Sequence, residues 1–145
     1  MKRSLVMLSP NRTHRDKVVV FLLRATGIAM LTALVFCVCP FSWMETIHQW
    51  MGLGTLPDIP IVRYLTRSLS GMYAYLGALL LYLAGDIRRH RGTLLFLSVT
   101  GLLFSVGIIL LDSAVGMPLF WTVAEGPMTL LLSAILLILL LRARG

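Results

Sequence analysis

Four charged side chains attract attention because each lies inside or at the edge of a long apolar segment. Arg63 and Arg67 are one helical turn apart, and Asp112 and Glu125 lie in two later apolar segments. An unpaired charge in a bilayer costs about 2.5 to 3.5 kcal/mol, so such groups tend to pair inside the protein. The sequence therefore predicts an intramembrane charge cluster of these four residues, built around an Arg67 to Glu125 pair. In the alternative interpretation, the same side chains anchor helix ends by reaching the outer headgroups.

A second group with chemical potential is the pair Cys37 and Cys39 in the sequence CVCP. Two thiols can serve redox chemistry or a soft metal, but a metal needs further ligands, and His48 is the nearest histidine. Residues two apart on a helix do not face each other, and free cysteines usually behave as small buried hydrophobes. The three residues are weak candidates, and we expect no metal and no cofactor.

Small residues next to these charges predict close helix packing. On a helix, Arg63 and Arg67 share a face with Ser70, Ala74 and Gly77, while Gly101 and Ser105 lead to Asp112 in a later segment. Small side chains let membrane helices approach one another, so these faces are expected to point toward protein. The residues expected to make the helix contacts are Gly71, Ala74, Ala78, Gly101 and Ser105.

The elements that carry these residues follow from composition. The chain is 58% hydrophobic and 13% charged, which is far more apolar than a soluble domain. A hydrocarbon core of about 30 Å needs roughly 20 apolar residues of helix. The sequence predicts one all-α membrane domain, a four-helix bundle preceded by a basic arm at 1–17, with spans at 18–39, 60–85, 93–112 and 119–141.

The positive charges predict the orientation of this bundle. Of the 13 lysines and arginines, Arg63 and Arg67 fall on one side of the predicted membrane and Arg24 falls within the first span. The others fall on the opposite side: Lys2, Arg3, Arg12, Arg15, Lys17, Arg88, Arg89, Arg91, Arg142 and Arg144. Basic loops stay in the cytoplasm, so both termini are expected there, against anionic lipid headgroups. The scattered charges lack interleaved aromatic residues, which argues against nucleic-acid binding.

The segment between the first two spans predicts an additional helix at 42–51. Its apolar residues gather on one helical stripe, and Trp43 and Trp50 suit anchors at the outer membrane interface. Ser42, followed three residues later by Glu45, is typical of a capping box at the helix start.

A family resemblance rests on RSLSGMYAYLGALLLYLAGD, then RRHRG, and later GMPLFWTVAEGP. Over roughly residues 62–145 the chain resembles small four-helix bacterial membrane families of unknown function, DoxX-like in style. In the resemblance, Arg67, Gly71, Gly77 and Glu125 occupy matching places, together with Gly116 and Pro118. It implies a fold and a multi-pass bacterial inner-membrane location rather than a reaction.

Three functions are compatible with these observations. The favoured one is a non-catalytic accessory or assembly subunit that contacts other membrane-protein subunits or copies of itself. The first alternative is a small transporter or a bundle that binds lipid or another anionic ligand through Arg67, Glu125 and Asp112. The second alternative is a redox accessory protein that uses Cys37 and Cys39.

Overall fold

The computed structural model describes residues 13–142, and this part of the chain folds entirely into α-helices and connecting turns. The six helices are α1 (His14–Leu31), α2 (Leu34–Val38), α3 (Phe41–Trp50), α4 (Pro60–Leu83), α5 (Arg91–Val115) and α6 (Leu119–Arg142). These bounds lie close to the predicted segments. Residues 1–12 of the predicted basic arm lie outside the described residues.

Three helical segments are long and apolar enough to cross a membrane: the α1 to α2 run over His14–Val38, then α5 and α6. With 24 residues, α4 is long enough to span a membrane, but its sequence is less apolar than those of the other three segments. Its polar content explains the difference, because Arg63, Arg67 and several serine and tyrosine residues interrupt its apolar sequence. The coarse prediction of a helical membrane protein is confirmed.

The start of α1 is fixed by a capping box formed by Thr13 and Asp16. The Asp16 amide donates to Thr13 Oγ1 over 3.2 Å, and the Thr13 amide donates to Asp16 Oδ2 over 3.3 Å. This reciprocal arrangement satisfies amides that no helical carbonyl can reach. The helix therefore begins earlier than the predicted span, and residues predicted as part of the arm form its first turn.

The predicted capping box at Ser42 is wrong. Pro40 occupies the N-cap position of α3, no side chain caps this helix, and Ser42 already lies in its first turn. Proline ends α2, because the residue before it is forced into extended backbone, and its fixed φ suits the start of the next helix. Glu45 instead accepts a hydrogen bond from Gln49 on the helix surface, at 3.3 Å.

The turn between α5 and α6 is tight because Gly116 adopts the left-handed conformation, with φ of 76°. Its amide and that of Met117 both donate to the Asp112 carbonyl and close the end of α5. Pro127 lies inside α6 and removes one backbone donor there. The helix continues through it, so a long antiparallel α5 to α6 pair results.

Close backbone approach holds together two helix pairs, α1 with α4 and α5 with α6. A Cβ added to Gly77 of α4 would lie 2.6 Å from the Gly27 carbonyl oxygen of α1 and 2.8 Å from the Leu31 nitrogen. In the other pair, a Cβ on Gly101 of α5 would lie 2.4 Å from Ser133 Oγ of α6. Only glycine fits these positions without a shift of the neighbour, so each pair has its register fixed by a small residue.

The two pairs join mainly at one end, where α1 contacts α6. The apolar core lies there, and its buried residues are Val19, Val20, Leu23, Leu83, Ala84, Ile87, Leu94, Leu136 and Leu140. At the same end Arg15 donates to the Arg142 carbonyl over 2.9 Å, and Arg91 donates to the Leu140 carbonyl over 2.6 Å. These arginines satisfy carbonyls that the last turn of α6 leaves without helical partners.

We expect Gly77→Leu to destabilise the fold by at least about 2 kcal/mol, because the new side chain would force the backbones of α1 and α4 apart. Gly107→Leu is the matched control, since nothing lies within 4 Å of a Cβ at Gly107. The measurement is denaturant-induced unfolding of the purified protein in detergent. Equal unfolding midpoints for the two variants would contradict the proposed role of the Gly27 to Gly77 contact.

Candidate functional site

The predicted Arg67 to Glu125 pair is not formed. Arg67 lies on the side of α4 that faces the junction of α2 and α3, where its Nη2 donates to the Cys39 carbonyl over 3.3 Å. Glu125 accepts its hydrogen bonds from other side chains. Within residues 13–142 the ion pairs are Arg63 with Asp58 and Arg88 with Asp16. The four predicted residues therefore do not assemble into one charge cluster.

Glu125 is held by two aromatic side chains instead. Trp121, one turn earlier on α6, donates its indole Nε1–H to Glu125 Oε2 over 2.8 Å. Tyr73 of α4 donates its hydroxyl to Glu125 Oε1 over 3.3 Å. Tyr73 thereby links the two helix pairs at a distance from the apolar core. A neutral donor from each side stabilises the carboxylate without a cationic partner.

Asp112 is buried at the far end of the α5 to α6 pair, with 6% of its surface exposed. Its Oδ2 atom has no hydrogen-bond partner among the described residues. One turn before Asp112 on α5, Ile109 packs against Gly126 of α6. A buried carboxylate without partners destabilises a fold, so its presence here calls for a functional reason.

Arg63 pairs outside the helix bundle rather than within it. Its Nη2 donates to Asp58 Oδ2 over 2.6 Å, and its guanidinium lies 5.4 Å from the centre of the Phe41 ring. The hydrogen bond from Arg63 lowers the pKa of the Asp58 carboxyl. Both groups are exposed, so this pair contributes little stability. It ties the start of α4 to the preceding loop and to α3.

Cys37 and His48 contact the backbone at separate places. Both thiols are free, and Cys37 Sγ lies 3.6 Å from the Arg67 carbonyl, to which it donates. The His48 Nδ1 atom lies 3.1 Å from the Gly54 carbonyl and closes the turn after α3. Over residues 13–142 no three histidine, cysteine or acidic side chains are grouped so that they could hold a metal ion.

The helix α3 exposes its predicted interfacial anchors. Trp43 and Trp50 are 61% and 85% exposed, and no residue of this helix is buried. A helix with such an apolar stripe is stable against a membrane interface rather than in water.

The predicted packing residues divide into two groups. Ala74 and Ser105 are buried, and Gly101 makes the close contact with Ser133 described above. Ala78 is exposed, and a Cβ at Gly71 would have only Cys37 Sγ nearby, at 3.7 Å. The close contacts of Gly27 and of Gly126 were missed by the sequence reasoning. In the sequence, the one indication of these contacts is the presence of a single glycine within an apolar segment.

Gly71 and Ala78 belong to a different surface of α4, which we call the tyrosine face. Its residues follow one another at spacings of four, three, four, three and four, and they are Tyr64, Ser68, Gly71, Tyr75, Ala78 and Tyr82. The three tyrosines are 67%, 73% and 64% exposed. Tyrosines and small side chains are interspersed at the spacing that left-handed helix pairs use for knobs-into-holes packing. The three tyrosines of this face are therefore largely uncovered, whereas Gly71 faces Cys37 and the Tyr82 ring lies 5.0 Å from that of His90.

Comparison of the chain with family models, with curated protein sequences and with solved structures finds no match in any of the three. The functional proposal therefore rests on the geometry of this chain's own residues.

A pair of double-mutant cycles tests this arrangement of Glu125. We expect Tyr73→Phe and Glu125→Ala to show a coupling of about 0.5 to 1 kcal/mol, because the two side chains share a hydrogen bond within the membrane region. Arg67→Ala and Glu125→Ala are expected to be additive, because the two side chains do not touch. Unfolding in detergent measures both cycles. Strong coupling of Arg67 with Glu125 would instead support the ion pair expected from the sequence.

Proposed function

We propose that this protein is a non-catalytic integral membrane subunit that binds a helix of a different membrane protein along the tyrosine face of α4. The single observation that carries the proposal is that face, a heptad-spaced seam of exposed tyrosines and small residues. The occupant is a transmembrane helix with its own small or apolar residues at the same spacing. A second copy of this chain is the competing occupant.

The chemistry of the face favours protein over lipid as its neighbour. Lipid tails offer no hydrogen-bond partners for the tyrosine hydroxyls. They also make no specific contact with the recesses that the small residues leave between the tyrosines. A neighbouring helix can fill the gap at Ala78 and can accept a hydrogen bond from the hydroxyl of Tyr75. The face thus provides van der Waals contact and polar partners together, which are the two forces that associate helices in a bilayer.

The proposed topology has four crossings, by α1 with α2 and by α4, α5 and α6, with both termini in the cytoplasm of a bacterial cell. It is supported by the arginines at the end of the bundle where α1 and α5 begin and α6 ends. The opposite end carries α3, whose tryptophans then lie at the outer interface of the inner membrane. The bacterial source is suggested by the family resemblance alone.

A small transport or ligand-binding bundle is the second candidate. The buried and unpartnered Asp112 carboxylate favours it, because such groups in membrane helices commonly take part in proton or ion pathways. Arg67 and Glu125 do not lie in one site with Asp112. Asp112 alone therefore remains from the ligand-binding site that the sequence predicts. The partner experiment below separates the two candidates.

We expect single cysteines at Thr55 and Arg89 to be labelled from opposite sides of the membrane, in a background with Cys37→Ser and Cys39→Ser. Both positions are exposed in loops, one before α4 and one after it. The measurement is labelling by an impermeant maleimide in intact and in permeabilised cells. Labelling of both positions from the same side would show that α4 does not cross the membrane.

The docking proposal predicts that Ala78→Leu abolishes co-purification of a stoichiometric membrane partner in mild detergent, because the added side chain fills a gap in the seam. Gly107→Leu is the matched control: it adds a leucine at an exposed position of α5 and is expected to keep the partner. Both variants should unfold like the unmodified chain, since neither new side chain enters a described contact. Mass spectrometry identifies the partner.

Three results would contradict the docking proposal. Purification of the unmodified chain alone as a monomer would show that the face has no protein occupant. A complex that contains only copies of this chain would replace the different partner with a second copy. Equal retention of a partner by both leucine variants would place the interface elsewhere.

A further inference from the structure

A groove of about 450 Å³ opens at the end of the bundle where the two helix pairs join. Four arginines line it: Arg15 of α1, Arg88 between α4 and α5, Arg91 at the start of α5, and Arg142 at the end of α6. They come from separate parts of the sequence. The fold therefore concentrates charges that looked scattered along the chain.

Within residues 13–142 the charge of this groove is not balanced. Asp16 is the one carboxylate that these residues contribute to its lining, and it bonds to Arg88 Nη2 over 3.0 Å. Arg15 and Arg91 donate to neutral backbone carbonyls, which leaves their charge uncompensated. With four guanidinium groups and one carboxylate, the lining carries three net positive charges. A groove with this excess of positive charge attracts an anion from the surroundings.

The arginines also have donors to spare. A guanidinium group carries five N–H donors, and the contacts described above use only part of them. Arginine binds phosphate through paired, parallel hydrogen bonds, which favours this anion over a simple halide. The α1 and α5 helices begin at the groove and α6 ends there, so the helix dipoles partly offset one another and the guanidinium groups dominate the field.

The floor of the groove indicates where the phosphate comes from. Ile87 and Leu140 line the groove and are buried members of the apolar core. Beside them, α1, α5 and α6 continue as apolar helices long enough to cross a membrane. A ligand with a phosphate at one end and hydrocarbon at the other fits this combination better than a free ion.

We infer that this groove binds the phosphate-bearing headgroup of an anionic phospholipid at the cytoplasmic interface. The inference rests on the proposed membrane topology but not on the proposed partner. The lipid phosphates sit among the guanidinium groups of Arg15, Arg91 and Arg142, and the acyl chains follow the helices into the bilayer. A lipid with two phosphates matches the three net positive charges more closely than a lipid with one.

The test is titration of cardiolipin, phosphatidylglycerol and phosphatidylcholine into the purified full-length protein in detergent, followed by native mass spectrometry. Arg142→Gln removes one groove charge, and the Arg142 side chain makes no hydrogen bond or ion pair within the described part of the chain. Arg89→Gln is the matched control, because this exposed arginine lies next to Arg88 but does not line the groove.

We expect the unmodified protein to prefer cardiolipin over phosphatidylcholine. Arg142→Gln should weaken cardiolipin binding by about fivefold, and Arg89→Gln should leave it unchanged. Asp16→Asn should tighten it, because the substitution removes the negative charge from the lining while it keeps an oxygen for the Thr13 amide. This opposite sign separates a charge effect at the groove from a general loss of stability.

Equal affinity for the three lipids, or an equal effect of Arg142→Gln and Arg89→Gln, would overturn the inference. Sodium pyrophosphate, titrated in parallel, distinguishes a free phosphate from a lipid: binding of pyrophosphate without any preference among lipids would overturn the lipid assignment. The cysteine labelling described above reports separately on the topology. Opposite-side labelling combined with absent lipid selectivity would defeat the groove proposal and leave the proposed topology intact.

Discussion

The contact between Gly27 and Gly77 is the constraint on which the rest of the structure depends. In a bilayer, burial of an apolar helix face against another helix gains little over burial against lipid, so association depends on how closely atoms approach. The Gly77 position brings the α4 backbone against α1, because a Cβ there would lie 2.6 Å from the Gly27 carbonyl oxygen. This approach fixes the register in which Asp16 at the start of α1 meets Arg88 beyond the end of α4.

The two ends of the bundle differ in character as a result. At one end, apolar side chains pack together and arginines bond to the last carbonyls of α6, which satisfies its backbone groups and leaves the arginine charges uncompensated. At the other end the buried groups are small or polar, and Asp112 lacks a partner for Oδ2. At this end the Tyr73 to Glu125 hydrogen bond links the two pairs. The large apolar contacts are thus concentrated at one end of the bundle, and the other end is held by small residues and hydrogen bonds.

Hydropathy and turn residues were sufficient to predict where the helices lie, because each apolar segment is bounded by proline, glycine or charge. The stripe of Trp43, Ile47 and Trp50 similarly predicted α3. Helix rotation could not be predicted. Arg67 and Glu125 lie on faces compatible with pairing, but α4 turns Arg67 toward Cys39 and presents Tyr73 to Glu125. Ala78 lies on the exposed surface for the same reason.

The arginine groove could not be predicted from the sequence, for a different reason. Its charges come from separate segments and meet only after α1 and α6 have packed together. One local signal was present, since the Thr13 and Asp16 spacing that caps α1 also holds Arg88 at the groove. Side-chain types along the chain indicated a basic cytoplasmic surface. They did not indicate that this surface is concave.

The low hydropathy of α4 has a consequence for biosynthesis. A segment that contains Arg63, Arg67 and several hydroxyl groups partitions poorly from the protein-conducting channel into lipid by itself. In the proposed topology, α1 leaves the ribosome first and offers the Gly27 surface against which α4 can shelter its backbone. Insertion of α4 is then coupled to its packing, and the helical hairpin, rather than the single helix, is the unit that enters the membrane.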